Sequence, residues 1–133
     1  MQHAVGEFDV EIRPLALDGP ADDASFGRYA LVKALRGDFT GKGEGQMLTA
    51  GGAVQTSGAY VAVERLTGTL AGRTGSFALF HRGVMQGGEQ EMQIAVVPDS
   101  GTGGLSGLRG TFRILIEGKK HLYQFDYTLP ATP

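Results

Sequence analysis

Three side chains able to move protons or hold charge stand on runs whose alternation would turn them toward an interior. Glu64 lies in Tyr60-Val61-Ala62-Val63-Glu64-Arg65-Leu66, on the face it shares with Tyr60, Ala62 and Leu66. His81 shares a face with Phe77, Leu79, Gly83 and Met85, and Lys33 shares one with Tyr29, Leu31 and Leu35. A carboxylate on an apolar face must be paired, protonated or solvated, because an unpaired buried charge is costly. Lys33, His81 and Arg113 are the partners on matching faces. Glu64 could then act as a general acid or base, its pKa moved by burial and by Lys33, with His81 as proton partner or substrate-orienting group. Two bland readings stand beside this one. A bulge or a one-residue shift of face turns Glu64 to solvent, and His81 is a satisfied core histidine.

Other chemistries find little support. His3, His81 and His121 are far apart and none has a metal-ligand spacing such as HExxH, so no metal site is expected. There is no cysteine, which removes thiolate sites, thiol catalysis and disulfides. No Gly-x-Ser-x-Gly elbow is present. The run Ser100-Gly101-Thr102-Gly103-Gly104-Leu105-Ser106-Gly107-Leu108-Arg109-Gly110 lacks the Lys-Ser or Lys-Thr of a phosphate loop and the spacing of a dinucleotide fingerprint. It reads as a bulge and tight turn at the rim of a sheet. No cofactor is implied.

The elements that must position these groups are strands. Of 133 residues 22 are glycine, and apolar and aromatic residues fill the gaps between them, so glycine punctuates extended runs. Glu7 to Pro14 alternates strictly, with Phe8, Val10 and Ile12 on one face. Further runs at Phe39–Ala50, Ala59–Ala71, Ser76–Met85, Gln90–Val97, Thr111–Glu117 and His121–Leu129 read as strands, separated by turns at Gly51-Gly52, Gly72–Gly75, Gly87-Gly88 and Gly118–Lys120. Phe26 to Gly37 is composed of good helix formers and is read as a strand only because a helix there would stand isolated. Gly41, Gly43 and Gly45 recur at period two, the mark of a sharply bent or closely approached strand. Ala16 to Ser25 is a polar loop and Pro130 to Pro133 a frayed tail.

About eight antiparallel strands close naturally into an all-β up-and-down barrel, with an open sandwich as the competing arrangement. One domain spans residues 1–133. A net charge of -2 offers no footprint for nucleic acid or an anionic membrane surface. No stretch is long and apolar enough to span a bilayer, and no leader is evident at the start of the chain, so a cytoplasmic location is expected.

Three stretches carry a likeness to known proteins. They are Tyr60–Gly68 with Gly75–Gly83, then Pro98–Gly110, then Lys120–Leu129. Together they resemble a bacterial family known as domain of unknown function 3224, over nearly the whole chain. The run from Gly101 to Gly110 also resembles a signature of allene oxide cyclases and dirigent proteins. The resemblance implies an eight-stranded antiparallel barrel of the allene oxide cyclase type, and it implies that Phe26 to Gly37 is a strand. In that wider group, barrels bind hydrophobic small molecules and steer cyclisation or coupling. Only Glu64, Lys33, His81 and the 100–110 signature match the family pattern.

A barrel of this size is filled by side chains or holds one small ligand. Abundant glycine and alanine tilt the expectation toward unfilled volume. Its lining would include Tyr60, Leu66, Phe77, Leu79, Tyr123 and Phe125 beside Glu64 and His81. The leading expectation is a module that binds a hydrophobic small molecule in its lumen. One alternative is an isomerase or cyclase with catalytic Glu64, His81 and Lys33. Another is a structural protein with a filled core that forms a homo-oligomer through an outer barrel face.

Overall fold

The computed structural model describes residues 1–17 and 25–131. The strands are β1 (Gln2–Leu15), β2 (Phe26–Gly37), β3 (Phe39–Gly51), β4 (Gly58–Leu70), β5 (Arg73–Gln86), β6 (Glu89–Val96), β7 (Thr102–Gly103), β8 (Arg109–Glu117) and β9 (Lys120–Thr128). Each of β1 to β5 pairs antiparallel with the next, β6 pairs with β8, β8 with β9, and β9 returns to β1. The ring is a closed up-and-down barrel of eight strands, and the two-residue β7 pairs with β5 at Gly75 and Ser76, beyond the end of β6. No helix among the described residues is long and apolar enough to cross a membrane.

β2 is a strand despite its helix-forming composition. Its backbone is hydrogen-bonded on both sides, to β1 and to β3, and its buried positions Leu31, Lys33 and Leu35 recur at period two. Pairing with two neighbours outweighs a local preference worth only tenths of a kcal/mol per residue, about 0.7 at most. One turn differs from the sequence reading. The β4–β5 hairpin turns at Ala71-Gly72, both at positive φ (52° and 76°), and Arg73 to Gly75 already belong to β5. A two-residue turn with both centres left-handed matches the twist of the flanking strands, which is why it wins over a longer loop. Of the expected polar loop at Ala16 to Ser25, residues 18–24 lie outside the described residues.

The two ends of the barrel are built differently. At one end the β6–β8 connection folds back and inserts Leu105 and Leu108, which lie against Phe39, Leu70, Phe77 and Phe125, all at most 1% exposed. Aromatic rings continue this core upward: Phe77 stacks on Phe125 at 5.9 Å, and Phe112 on Phe125 at 4.2 Å. Each such side chain withdrawn from water contributes about 1.5–3 kcal/mol. Glycine makes the insertion feasible. Gly103 and Gly107 hold φ of 58° and 82°, and a side chain on Gly101 would fall on the carbonyl oxygen of Leu105. The glycine-rich run is therefore a structural stopper. Below the tail, Arg73 Nη1 donates to the Pro130 carbonyl at 3.0 Å, so Pro130 is tied down, while residues 132 and 133 lie outside the described residues.

At the other end the same inner face is left open. Ile12, Met85 and Ile116 occupy inward register positions yet are 50%, 44% and 68% exposed. The expectation of unfilled volume needs correction for the closed half, which is solid, and applies only to the open end.

Candidate functional site

Lys33 and Glu64 stand on β2 and β4, with β3 between them. Lys33 is opposite Gly43, and Gly45 is opposite Glu64. Because β3 presents only hydrogen atoms to the interior here, the two long side chains meet across it. Lys33 Nζ donates to Glu64 Oε2 at 3.0 Å. A side chain begun at Gly43 would stand 3.3 Å from Glu64 Oε1 and 3.4 Å from Leu66. At Gly45 it would fall on the Val63 carbonyl oxygen and against Glu64 itself. The period-two glycines thus do two jobs: they let β3 and β4 approach closely, and they clear the space in which the charges meet.

His81 reaches the same carboxylate from β5. It sits opposite Ala62, which makes it the diagonal neighbour of Glu64 on the inner face. Its Nε2 lies 2.7 Å from Glu64 Oε2. That approach is off the ring's N–H direction, so among the described residues Nε2 has no aligned hydrogen-bond partner; Glu64 Oε1, the oxygen turned away from both Lys33 and His81, likewise has none. All three groups are buried, with Glu64 at 4% exposure. The Lys33 ammonium also stands 5.0 Å from the centre of the Phe8 ring, a cation–π contact. Burial pushes the Glu64 carboxyl up, but His81 and Lys33 beside it outweigh burial and hold it below the usual carboxylate range. Between these groups and Phe8, Phe112 and Tyr123 is an internal cavity of about 10 Å³, at the lower limit for one water molecule.

Tyr60 is the step between this cluster and the open end. It lies on the inner face of β4 above Ala62 and Glu64, and its ring covers Gly83, where any side chain would collide with it. Burial, and then the Glu64 charge, raise its hydroxyl above the usual tyrosine value. Tyr60 also borders an open cleft of about 410 Å³ at the rim, together with Phe26, Tyr29, Thr49, Gly83 and Met85. That volume falls in the range of small-molecule sites, about 300–1,000 Å³.

The expected site residues separate accordingly. Glu64, His81 and Lys33 come together. Arg113, offered as a partner of Glu64, does not join them: odd-numbered residues of β8 face outward, and its side chain is 72% exposed beside Asp126. Of the expected lining, Tyr60 borders the cleft. Leu66, Leu79 and Tyr123 touch only the internal cavity, and Phe77 and Phe125 are wholly enclosed in the core. Tyr123 is pinned to the β2–β3 corner. Its hydroxyl accepts from the Phe39 N–H at 2.8 Å and lies within donating reach of the Arg36 and Phe39 carbonyls. Phe26 and Thr49 were not singled out by sequence reasoning, because strand ends give no periodic signal to mark them; Tyr29 stood on the face of Lys33 but was not among the expected lining. His3 pairs with Asp126 at the surface and His121 packs on Phe8. No three metal-ligating side chains stand together among the described residues.

An antiparallel barrel, stoppered at one end and carrying a buried lysine–glutamate–histidine cluster under an open rim, is the class of protein that fold and site define. The family described as "Protein of unknown function (DUF3224)" matches residues 4–127, and the chain belongs to that family. A crystal structure of a protein of unknown function from the same family, from Shewanella oneidensis MR-1, is similar to it. The two are 39% identical, the match covers 99% of each chain, and the TM-score is 0.91. No curated protein matches the chain.

Proposed function

We propose that this protein holds a small apolar molecule at the open end of the barrel, above the Lys33–Glu64–His81 cluster. The observation that carries this reading is the contrast along one inner face. Large apolar side chains on it are almost wholly buried from the stopper up to the cluster, then left in solvent at Ile12 and at Met85, the latter bordering a cleft of about 410 Å³. Exposed apolar groups beside a few convergent polar ones are the usual composition of a ligand site. Tyr60, Tyr29 and Thr49, which border the cleft, supply the polar side.

Binding without chemistry fits the geometry better than catalysis. A general acid or base works best with a pKa near the working pH, and Glu64 is held on the low side by its partners. The cavity at the cluster has no room for a substrate. The glycine signature that resembles allene oxide cyclases and dirigent proteins closes the opposite end, so the chemistry of those enzymes adds nothing to this reading.

The test is a fluorescence titration with the neutral apolar probe N-phenyl-1-naphthylamine. Saturable binding is expected, weakened about tenfold by Met85→Glu, since burying a methionine side chain is worth about 1.5–3 kcal/mol. Met85 is exposed, so the variant should keep its fold. Absence of saturable binding, or equal affinity in the variant, would contradict the proposal.

A further inference from the structure

One seam of the barrel is far shorter than the rest. β6 and β8 pair at only two positions, Ile94↔Phe112 and Ala95↔Thr111. The shortest of the other seams in the ring, β1 with β9, runs from Gln2↔Tyr127 to Phe8↔His121. Beyond Ile94, β6 continues along β5 as far as Gln86↔Glu89, while β8 continues along β9 as far as Glu117↔Lys120. The stretch Arg113-Ile114-Leu115-Ile116-Glu117 therefore has a strand on one side only among the described residues.

The direction of its free backbone groups follows from the β8–β9 turn. Gly118-Lys119 is a two-residue turn, with Gly118 at φ 61°, so the closing pair Glu117↔Lys120 exchanges both of its hydrogen bonds. Alternation then gives Leu115 and Arg113 to β9 as well. The N–H and C=O of Ile114 and Ile116 point the other way, to the unpaired side. The opposite edge, on β6, reads Glu89-Gln90-Glu91-Met92-Gln93, and charged residues of this kind discourage strand addition. The β8 edge has no such guard between its two ends. Leu115 and Ile116 are 43% and 68% exposed.

We infer that this edge is an interface with a second copy of the chain, β8 against β8 in antiparallel register about a two-fold axis at Leu115. The charge pattern argues for this occupant. Residue numbers in such a pair place Arg113 opposite the partner's Glu117 and Glu117 opposite the partner's Arg113, both on the outer face. Leu115 meets its own copy. Ile114 faces the partner's Ile116, the two residues whose backbone groups have no strand to pair with among the described residues, so each pair exchanges both bonds. A two-fold contact needs a self-complementary surface, and this five-residue segment is one in charge, in apolar content and in hydrogen-bonding parity.

Sedimentation velocity on the full chain tests it. The wild type should contain a species of twice the 14.0 kDa chain mass. Arg113→Glu sets like charges opposite each other at both ends and should raise the dissociation constant about tenfold or more. Glu117→Arg should do the same, and the double swap Arg113→Glu/Glu117→Arg should restore the dimer. Ile116→Pro removes one N–H on the free side only and should abolish the dimer while circular dichroism stays that of the barrel. A wild type that is monomeric at its highest soluble concentration would overturn the inference. So would a dimer indifferent to both the charge swaps and the proline.

Discussion

Glu64 keeps a charge inside an apolar barrel because Lys33 and His81 converge on one of its oxygens. Its pKa is lower folded than unfolded, where the ordinary value is 4.5. The cluster therefore adds stability that is fully present above that value and is lost as pH falls through the lower, folded-state pKa. Glu64→Gln leaves the Lys33 ammonium buried without a counter-charge, which should cost about 3–5 kcal/mol at neutral pH. Urea denaturation should show that gap narrowing in acid, as the wild-type carboxylate is itself protonated. A gap that stays constant from neutral pH to about pH 3 would mean that the ion pair is not its source. Tyr123 offers a second check. Its hydroxyl takes the buried N–H of Phe39, so Tyr123→Phe should cost about 1–3 kcal/mol by leaving that donor unpaired. The alternation of types alone placed Glu64, His81 and Lys33 inward. The same alternation speaks against Arg113, since Phe112, Ile114 and Ile116 form the apolar face of β8 and leave Arg113 on the other.

β3 decides whether the cluster can form. Its inner face is glycine at 41, 43 and 45, and these positions are not equivalent. A methyl group at Gly45 would strike the backbone of β4, whereas at Gly43 it would press on the movable ends of Glu64 and Leu66. Gly45→Ala should therefore destabilise by about 1–3 kcal/mol or prevent folding, and Gly43→Ala by clearly less, when both are compared by thermal unfolding. Equal effects would contradict the close approach of β3 and β4. The period-two spacing announced a special strand in the sequence. That its role is to let β2 and β4 side chains meet over it became visible only with the pairing. β2 shows the converse: its composition pointed locally to a helix, and only neighbours on both edges make it a strand. The glycine-rich run at 100–110 was legible as a turn at the rim, but the burial of Leu105 and Leu108 beneath it was not, since neither lies in a periodic stretch.

At the level of the whole molecule the barrel is a vessel with one end solid and the other open, and that asymmetry is the basis of the binding proposal. Closure of the ring could be argued from strand count and short turns. Which end is filled could not, because the filling comes from a connection between strands. The methionines supply reporters at both ends. Met47, Met85 and Met92 occupy inward positions toward the open end, and Met1 precedes β1 near the stopper. The most direct measurement is a titration of methyl-labelled methionine resonances with N-phenyl-1-naphthylamine. The account predicts that Met85 and Met47 shift together along a single saturation curve while Met1 stays fixed. Shifts confined to Met1, or no saturable shift at any methionine, would contradict it.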